Sequence, residues 1–115
     1  MQALAEIDTA QWVDTCSLED IVPDTAACAW VNEQQVAIVR FGEDAVYAIS
    51  NFDPFSRAFV LSRGIVGDKQ GVPKIASPLY KQSFNLQTGQ CLDDPSVGIP
   101  TYPVRVHRGR VQVLL

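Results

Sequence analysis

The chain predicts an all-β fold, an antiparallel β-sandwich or small partly open barrel with no long helix. Three observations carry this reading. Apolar and polar residues alternate in short runs, as strands with one buried face require. Gly, Pro, Asn and Asp punctuate those runs at short intervals. No stretch sustains the spacing of a long amphipathic helix. The chain has 115 residues, 47% of them hydrophobic and 19% charged. That composition points to a single globular domain over residues 1–115, burying roughly 65% of its unfolded surface.

Gln11–Asp14 reads as a first strand, with Trp12 available as a core anchor. Ser17 is placed to cap one turn at Leu18–Asp20, and Asp20 completes a weak capping box. Pro23 stops that turn from growing. Ala27–Val31 is the next strand and Asn32-Glu33 the turn after it. In Gln35–Phe41, Val36, Ile38 and Arg40 share one face, while Ala37, Val39 and Phe41 share the other. Gly42-Glu43-Asp44 leads into Ala45–Ile49, which completes a three-stranded meander. Residues 51–64 read as irregular, with room for a helical turn at Ala58–Ser62. Ile65-Val66 and Pro73–Ala76 are short strands. Gln82–Leu86 pairs with Gln90–Leu92 across Gln87-Thr88-Gly89, and Asp93–Pro100 reads as a linker-like loop. Val104–His107 and Arg110–Leu114 form a last hairpin about Arg108-Gly109, with Val104, Val106, Val111 and Val113 toward the core.

A net charge of −4 and a pI near 4.7 argue against a nucleic-acid partner, which needs a basic face. No apolar run approaches the roughly 18 residues that span a bilayer, so no membrane is expected either. Met1–Gln11 holds Glu6 and Asp8 without a basic flank, unlike a secretory signal, and the expected compartment is the cytoplasm. Cys16, Cys28 and Cys91 form no Cys-x-x-Cys pair and read as buried or partly buried free thiols. His107, the sole histidine, reads as an ordinary strand residue with no motif linking it to a nucleophile. Asp93-Asp94 reads as a solvated loop. Gly64-Ile65-Val66-Gly67 lacks the helix that a phosphate-cradling loop requires, and no dinucleotide fingerprint is present.

Two proline-centred loops dominate the middle of the chain. One is Ser50-Asn51-Phe52-Asp53-Pro54-Phe55; the other runs from Ala76-Ser77-Pro78-Leu79-Tyr80-Lys81-Gln82 to Gln87-Thr88-Gly89. They resemble the two loops of the Rieske [2Fe–2S] ferredoxin fold, where Cys-x-His and Cys-x-x-His give two thiolates to one iron and two imidazoles to the other. On that resemblance Asp53 and Phe55 occupy the first pair of positions, Ser77 and Tyr80 the second. Residues 51–89 then form a degenerate cluster-binding subdomain. One His and three scattered Cys cannot supply the missing set, and a zinc site is equally unfavoured.

More specifically, Asn51–Ser56, Val60–Asp68, Ala76–Gln82 and Tyr102–Val106 resemble the small subunits of assimilatory NAD(P)H-dependent nitrite reductases. The resemblance spans nearly the whole chain. It implies a partner, the large subunit, which in that family carries FAD, siroheme and an iron–sulfur cluster and converts nitrite to ammonium in nitrate assimilation. It also implies that this chain has no catalytic residue and binds no metal or other cofactor. An electron-transfer ferredoxin with unusual ligation and a stand-alone interaction domain are the competing readings.

The four former ligand positions carry two compatible expectations. In one, they fill a vacated pocket: Phe55 and Tyr80 pack against each other or Leu79, while Asp53 and Ser77 close side-chain turns before their prolines. In the other, the loop tips are a docking knob, with Phe55, Arg57, Arg63, Leu79, Tyr80 and Lys81 as anchors and rim.

Overall fold

The computed structural model describes residues 12–115, so Gln11 and the reading of Met1–Gln11 as no secretory signal lie outside the described residues. Twelve strands follow in order among those residues. They are β1 (Trp12–Ser17), β2 (Thr25–Val31), β3 (Gln34–Phe41), β4 (Ala45–Ser50), β5 (Phe52–Asp53), β6 (Ala58–Phe59), β7 (Ile65–Lys69), β8 (Val72–Ala76), β9 (Ser83–Asn85), β10 (Thr101–Tyr102), β11 (Val104–His107) and β12 (Arg110–Leu114). All pairings are antiparallel, in four open sheets ordered β1-β12-β11, β10-β4-β3-β2, β5-β6 and β7-β8-β9. None of them closes into a barrel. The helical elements are two 3₁₀ turns, Leu18–Asp20 and Leu61–Arg63, and Ser17 caps the first by accepting from the Glu19 amide.

Strand β3 organises the packing because both of its faces are buried. Val36 and Ile38 join Ile21, Val31, Ala48, Val111 and Val113 in a core between the β10-β4-β3-β2 and β1-β12-β11 sheets. Ala37 and Val39 point the other way and join Ile49, Leu61, Ile75, Phe84 and Leu86 beneath the two loops. Burying Val36, Ile38 and Val39 contributes about 1.5–3 kcal/mol each, a sum comparable with the whole net stability of a domain. Arg40 continues the Val36/Ile38 face and is buried, its guanidinium satisfied by the Ile21 and Glu43 carbonyls at 2.8 and 2.9 Å.

The meander turns as expected. Asn32 and Glu33 both adopt left-handed backbone, as do Arg108 and Gly109 in the last hairpin, which is the twist-matching type I′ geometry.

Several expectations are corrected. Trp12 is no core anchor: Val13, opposite Val113, takes the core side, and Trp12 is half-buried with the Arg105 guanidinium 4.4 Å from its ring centroid. Val106 is exposed despite facing Val111, because β11 is the sheet edge. Ala58-Phe59 pairs with Phe52-Asp53 instead of starting a helical turn, and the 3₁₀ turn begins later at Leu61. Gln90–Leu92 does pair antiparallel with Ser83–Asn85 as expected, through the Phe84–Cys91 bridge and the Asn85 to Gln90 and Leu92 to Ser83 backbone bonds, and Gln90 also bridges Gly98.

Residues 93–100 are tied down and are not linker-like. Ile99 is buried, Asp93 Oδ2 accepts from the Ser83 amide, and the Pro100 carbonyl accepts from Ser50. Strand β10 then pairs with β4, an element the sequence reading did not contain. Cys91 is buried and Cys16 half-buried, as expected, but Cys28 is exposed on the edge strand β2.

Candidate functional site

The two loops share one plan. In Asp53-Pro54-Phe55-Ser56-Arg57 the first side chain accepts from the amide two residues on (Phe55 N to Asp53 Oδ1, 3.0 Å), and its carbonyl accepts from the amide four residues on (Arg57 N, 2.7 Å). Ser77-Pro78-Leu79-Tyr80-Lys81 repeats this, with Leu79 N to Ser77 Oγ at 3.3 Å and Lys81 N to the Ser77 carbonyl at 3.1 Å. Proline at the second position presets φ for such a turn and gives up no donor that is needed. The fifth residue is a cation in left-handed backbone both times, φ 60° at Arg57 and 68° at Lys81.

The heads of the two loops are bonded to each other. Ser77 Oγ donates to Asp53 Oδ2 at 2.6 Å, and Ser56 Oγ donates to the same oxygen at 2.8 Å. Asp53 has 0% of its surface exposed and Ser77 2%. Burial pushes the Asp53 carboxyl up, but the Ser77 and Ser56 hydroxyls and the Phe55 and Ser56 amides outweigh it and hold the group below its ordinary range. The carboxylate is therefore ionised at neutral pH and draws both loops around itself.

Asn51 ties this assembly to the sheets. It is buried, with its Oδ1 accepting from the Ser62 amide at 2.6 Å and its Nδ2 donating to Gln35 Oε1 at 3.0 Å. Its backbone bonds the Gln35 carbonyl and the Leu61 amide. Sequence reasoning missed Asn51 as a structural hub. Its place in the first loop, two residues before Asp53, was the available signal.

The structure brings Asp53 and Ser77 together and separates Phe55 from Tyr80. Phe55 is half-buried against the core under the loops, its ring centroid 6.1 Å from that of Phe84. Tyr80 is 61% and Leu79 54% exposed. The expected packing of Phe55 on Tyr80 or Leu79 is thus replaced by packing on Phe84, because the first loop turns its third residue inward and the second turns its own outward. The turns closed by Asp53 and Ser77 are present as expected. Arg57, Arg63 and Lys81 are exposed, Arg63 ending the second 3₁₀ turn.

These residues do not fit a [2Fe–2S] centre. Residues 51–89 contain neither Cys nor His. Asp53 and Ser77 are in direct hydrogen-bond contact, which leaves no space for an iron between them. Phe55 offers a hydrocarbon ring where the imidazole would stand. Among the described residues no three His, Cys, Asp or Glu side chains gather as a metal-binding group, and His107 is exposed at the far hairpin.

Two surface grooves lie elsewhere. One of about 510 Å³ is lined by Tyr47, Leu86, Gln87, Thr101, Tyr102 and neighbouring apolar residues, with no charged side chain. The other, about 320 Å³, lies between Trp30 and Phe59, beside Glu33 and Gln35. Neither pairs a nucleophile with a base.

The four open sheets and the two bonded loops are those of a Rieske-like domain, and residues 11–114 match the family described as Rieske-like [2Fe–2S] domain. The nitrite reductase (NADH) small subunit of Escherichia coli K12 is 46% identical over 105 residues, covering 90% of this chain and 97% of the relative. A solution structure of the nitrite reductase [NAD(P)H] small subunit of Erwinia carotovora superposes with a TM-score of 0.80 at 47% identity, covering 93% of this chain and 83% of that one. The chain belongs to the nitrite reductase small-subunit family. A segment of the nitrite reductase [NAD(P)H] large subunit of Klebsiella oxytoca is also 42% identical over 102 residues, which is 89% of this chain but 11% of that protein. No helix among the described residues is long and apolar enough to cross a membrane.

Proposed function

We propose that this chain, folded as a single domain over residues 1–115, is a cytoplasmic, non-catalytic subunit of an NAD(P)H-dependent nitrite reductase and binds no metal or other cofactor itself. FAD, siroheme and the iron–sulfur cluster reside on the large subunit, which reduces nitrite to ammonium. The Asp53–Ser77 hydrogen bond carries this reading. It joins the two loops at the positions where thiolates would hold iron, so the tip keeps its shape without a cluster. What remains is a rigid scaffold whose loop tips meet a partner, with Arg57, Arg63, Leu79, Tyr80 and Lys81 exposed for contact and Phe55 turned inward onto Phe84.

The Klebsiella large subunit supports the partnership, since a segment similar to this chain is continuous there with the rest of that polypeptide. The function follows from placement: the subunit stabilises the large subunit or holds its redox domains in a productive arrangement. The test is size-exclusion chromatography of this chain with the large subunit, followed by nitrite reduction with and without it. Co-elution and a fall in turnover on omission support the reading. Bound iron and visible absorption in the purified chain would instead favour an electron-transfer ferredoxin, and absence of co-elution would favour a stand-alone interaction domain.

A further inference from the structure

The charge of this acidic protein is unevenly placed. Residues 51–89 hold five cations, Arg57, Arg63, Lys69, Lys74 and Lys81, against two carboxylates, Asp53 and Asp68, a net of +3. The rest of the chain holds four cations and eleven carboxylates, a net of −7. Asp53, the carboxylate nearest the tips, is buried and occupied by serine hydroxyls.

Four of the five loop-region cations are also unengaged, the exception being Lys74, which donates to Ser83 Oγ at 3.1 Å. Arg40 and Arg110 pair with Glu43 and Asp14, and Arg105 bonds Gln112 over the Trp12 ring. Arg57, Arg63, Lys69 and Lys81 make no side-chain hydrogen bond or ion pair among the described residues; outside the loop region only Arg108 shares that state. Arg57 and Lys81 both sit four residues past the bridged Asp53–Ser77 pair, each held there by a backbone bond to it. Leu79 and Tyr80 lie beside them, more than half exposed.

Resting on the partnership proposed above, we infer that the bridged loop tips dock on an acidic surface of the large subunit, with Arg57 and Lys81 reading its carboxylates and Leu79 and Tyr80 its apolar centre. Exposed apolar side chains ringed by unpaired cations form the core and rim of an interface. Complementary charge steers encounter, and salt weakens it. A second copy of this chain does not offer the matching surface at its own tips, which carry the same sign.

The experiment measures binding of the full chain to the intact large subunit by calorimetry at about 50 and about 300 mM NaCl. It uses wild type, the double variant Arg57→Glu/Lys81→Glu, and Arg108→Glu as a free-cation control in the β11–β12 turn, outside the loop region. A thermal melt of each establishes that it is folded; if the double variant fails to fold, Lys81→Glu alone replaces it. The inference expects wild-type binding to weaken with salt. It also expects the tip reversal to raise Kd by on the order of tenfold or more at low salt, and Arg108→Glu to bind as wild type. Wild-type binding that is indifferent to salt and to tip reversal overturns the inference while leaving the partnership standing. No wild-type binding at either salt overturns the partnership and the inference together. Self-association of the chain alone, abolished by the tip reversal, overturns the assignment to a foreign partner.

Discussion

Ser77 Oγ and Asp53 Oδ2 stand 2.6 Å apart across 24 residues of sequence, and both side chains are buried. A hydroxyl bonded to a buried carboxylate is charge-assisted and short. Its net worth is about 1.5–3 kcal/mol, well above that of a neutral surface hydrogen bond. A non-metal cross-link of this strength suffices to fix two short loops that are already turned by proline.

Ser77→Ala should therefore lower unfolding free energy by about 2 kcal/mol, and Asp53→Ala by about 3 kcal/mol, since the latter also strands the Ser56 hydroxyl and the Phe55 amide. The double variant should fall short of the sum by at least about 1 kcal/mol in urea unfolding. Strict additivity would show that the two groups are not coupled.

Acid should weaken the fold through the same carboxylate. The folded Asp53 group lies below its ordinary value of 3.8, so the folded state binds the proton less readily than the unfolded chain. Its stabilisation is fully present above pH ~4 and is lost as pH falls through the lower folded value. Asp14, held down by Arg110, and Asp94, held down by Ser96, act in the same direction. Asp53→Asn should flatten the loss between about pH 4 and pH 2 in denaturant titrations. An unchanged pH profile would show that other carboxylates govern it.

Phe55 and Tyr80 should respond differently to truncation. Phe55→Ala removes a half-buried ring from Phe84, costing about 2 kcal/mol, less than the ~3–5 kcal/mol of a fully buried phenylalanine. Tyr80→Ala should stay within about 0.5 kcal/mol of wild type in the same melt, as exposed positions do. Equal costs would contradict the inward and outward placement of the two side chains.

Gly89→Ala is expected to be the most damaging small change near the loops. Gly89 has φ +82°, and a Cβ there would collide with the Ile99 carbonyl, whose own residue donates its amide to Gly89. Strain and displacement together should cost on the order of 3–5 kcal/mol, seen as a large fall in Tm. Gly67→Ala, with open space around it and ordinary backbone, is the control and should melt close to wild type.

Much of the scaffold was legible because β11 and β12 alternate strictly and β3 is a continuous apolar run, each between turns of strong sequence signature. The loops were legible from their prolines. The bridge itself was not: nothing local says that Ser77 will meet Asp53, since that encounter depends on how the β7-β8-β9 sheet folds back over β3. Strand β10 was missed because a two-residue run before Pro103 has no period to read. Trp12 misled because size favours burial, whereas its one-residue offset from Val13 decides its face. Cys28 misled for a related reason: cysteine usually sits inside, but the edge strand that carries it is open to solvent.

Strand β3 is roofed from above and floored from below, so the loop end of the molecule and its base are packed on the two faces of a single strand. Whatever grips the tips therefore grips the entire body at once. A displacement of that one strand is shared by the cores on both sides of it.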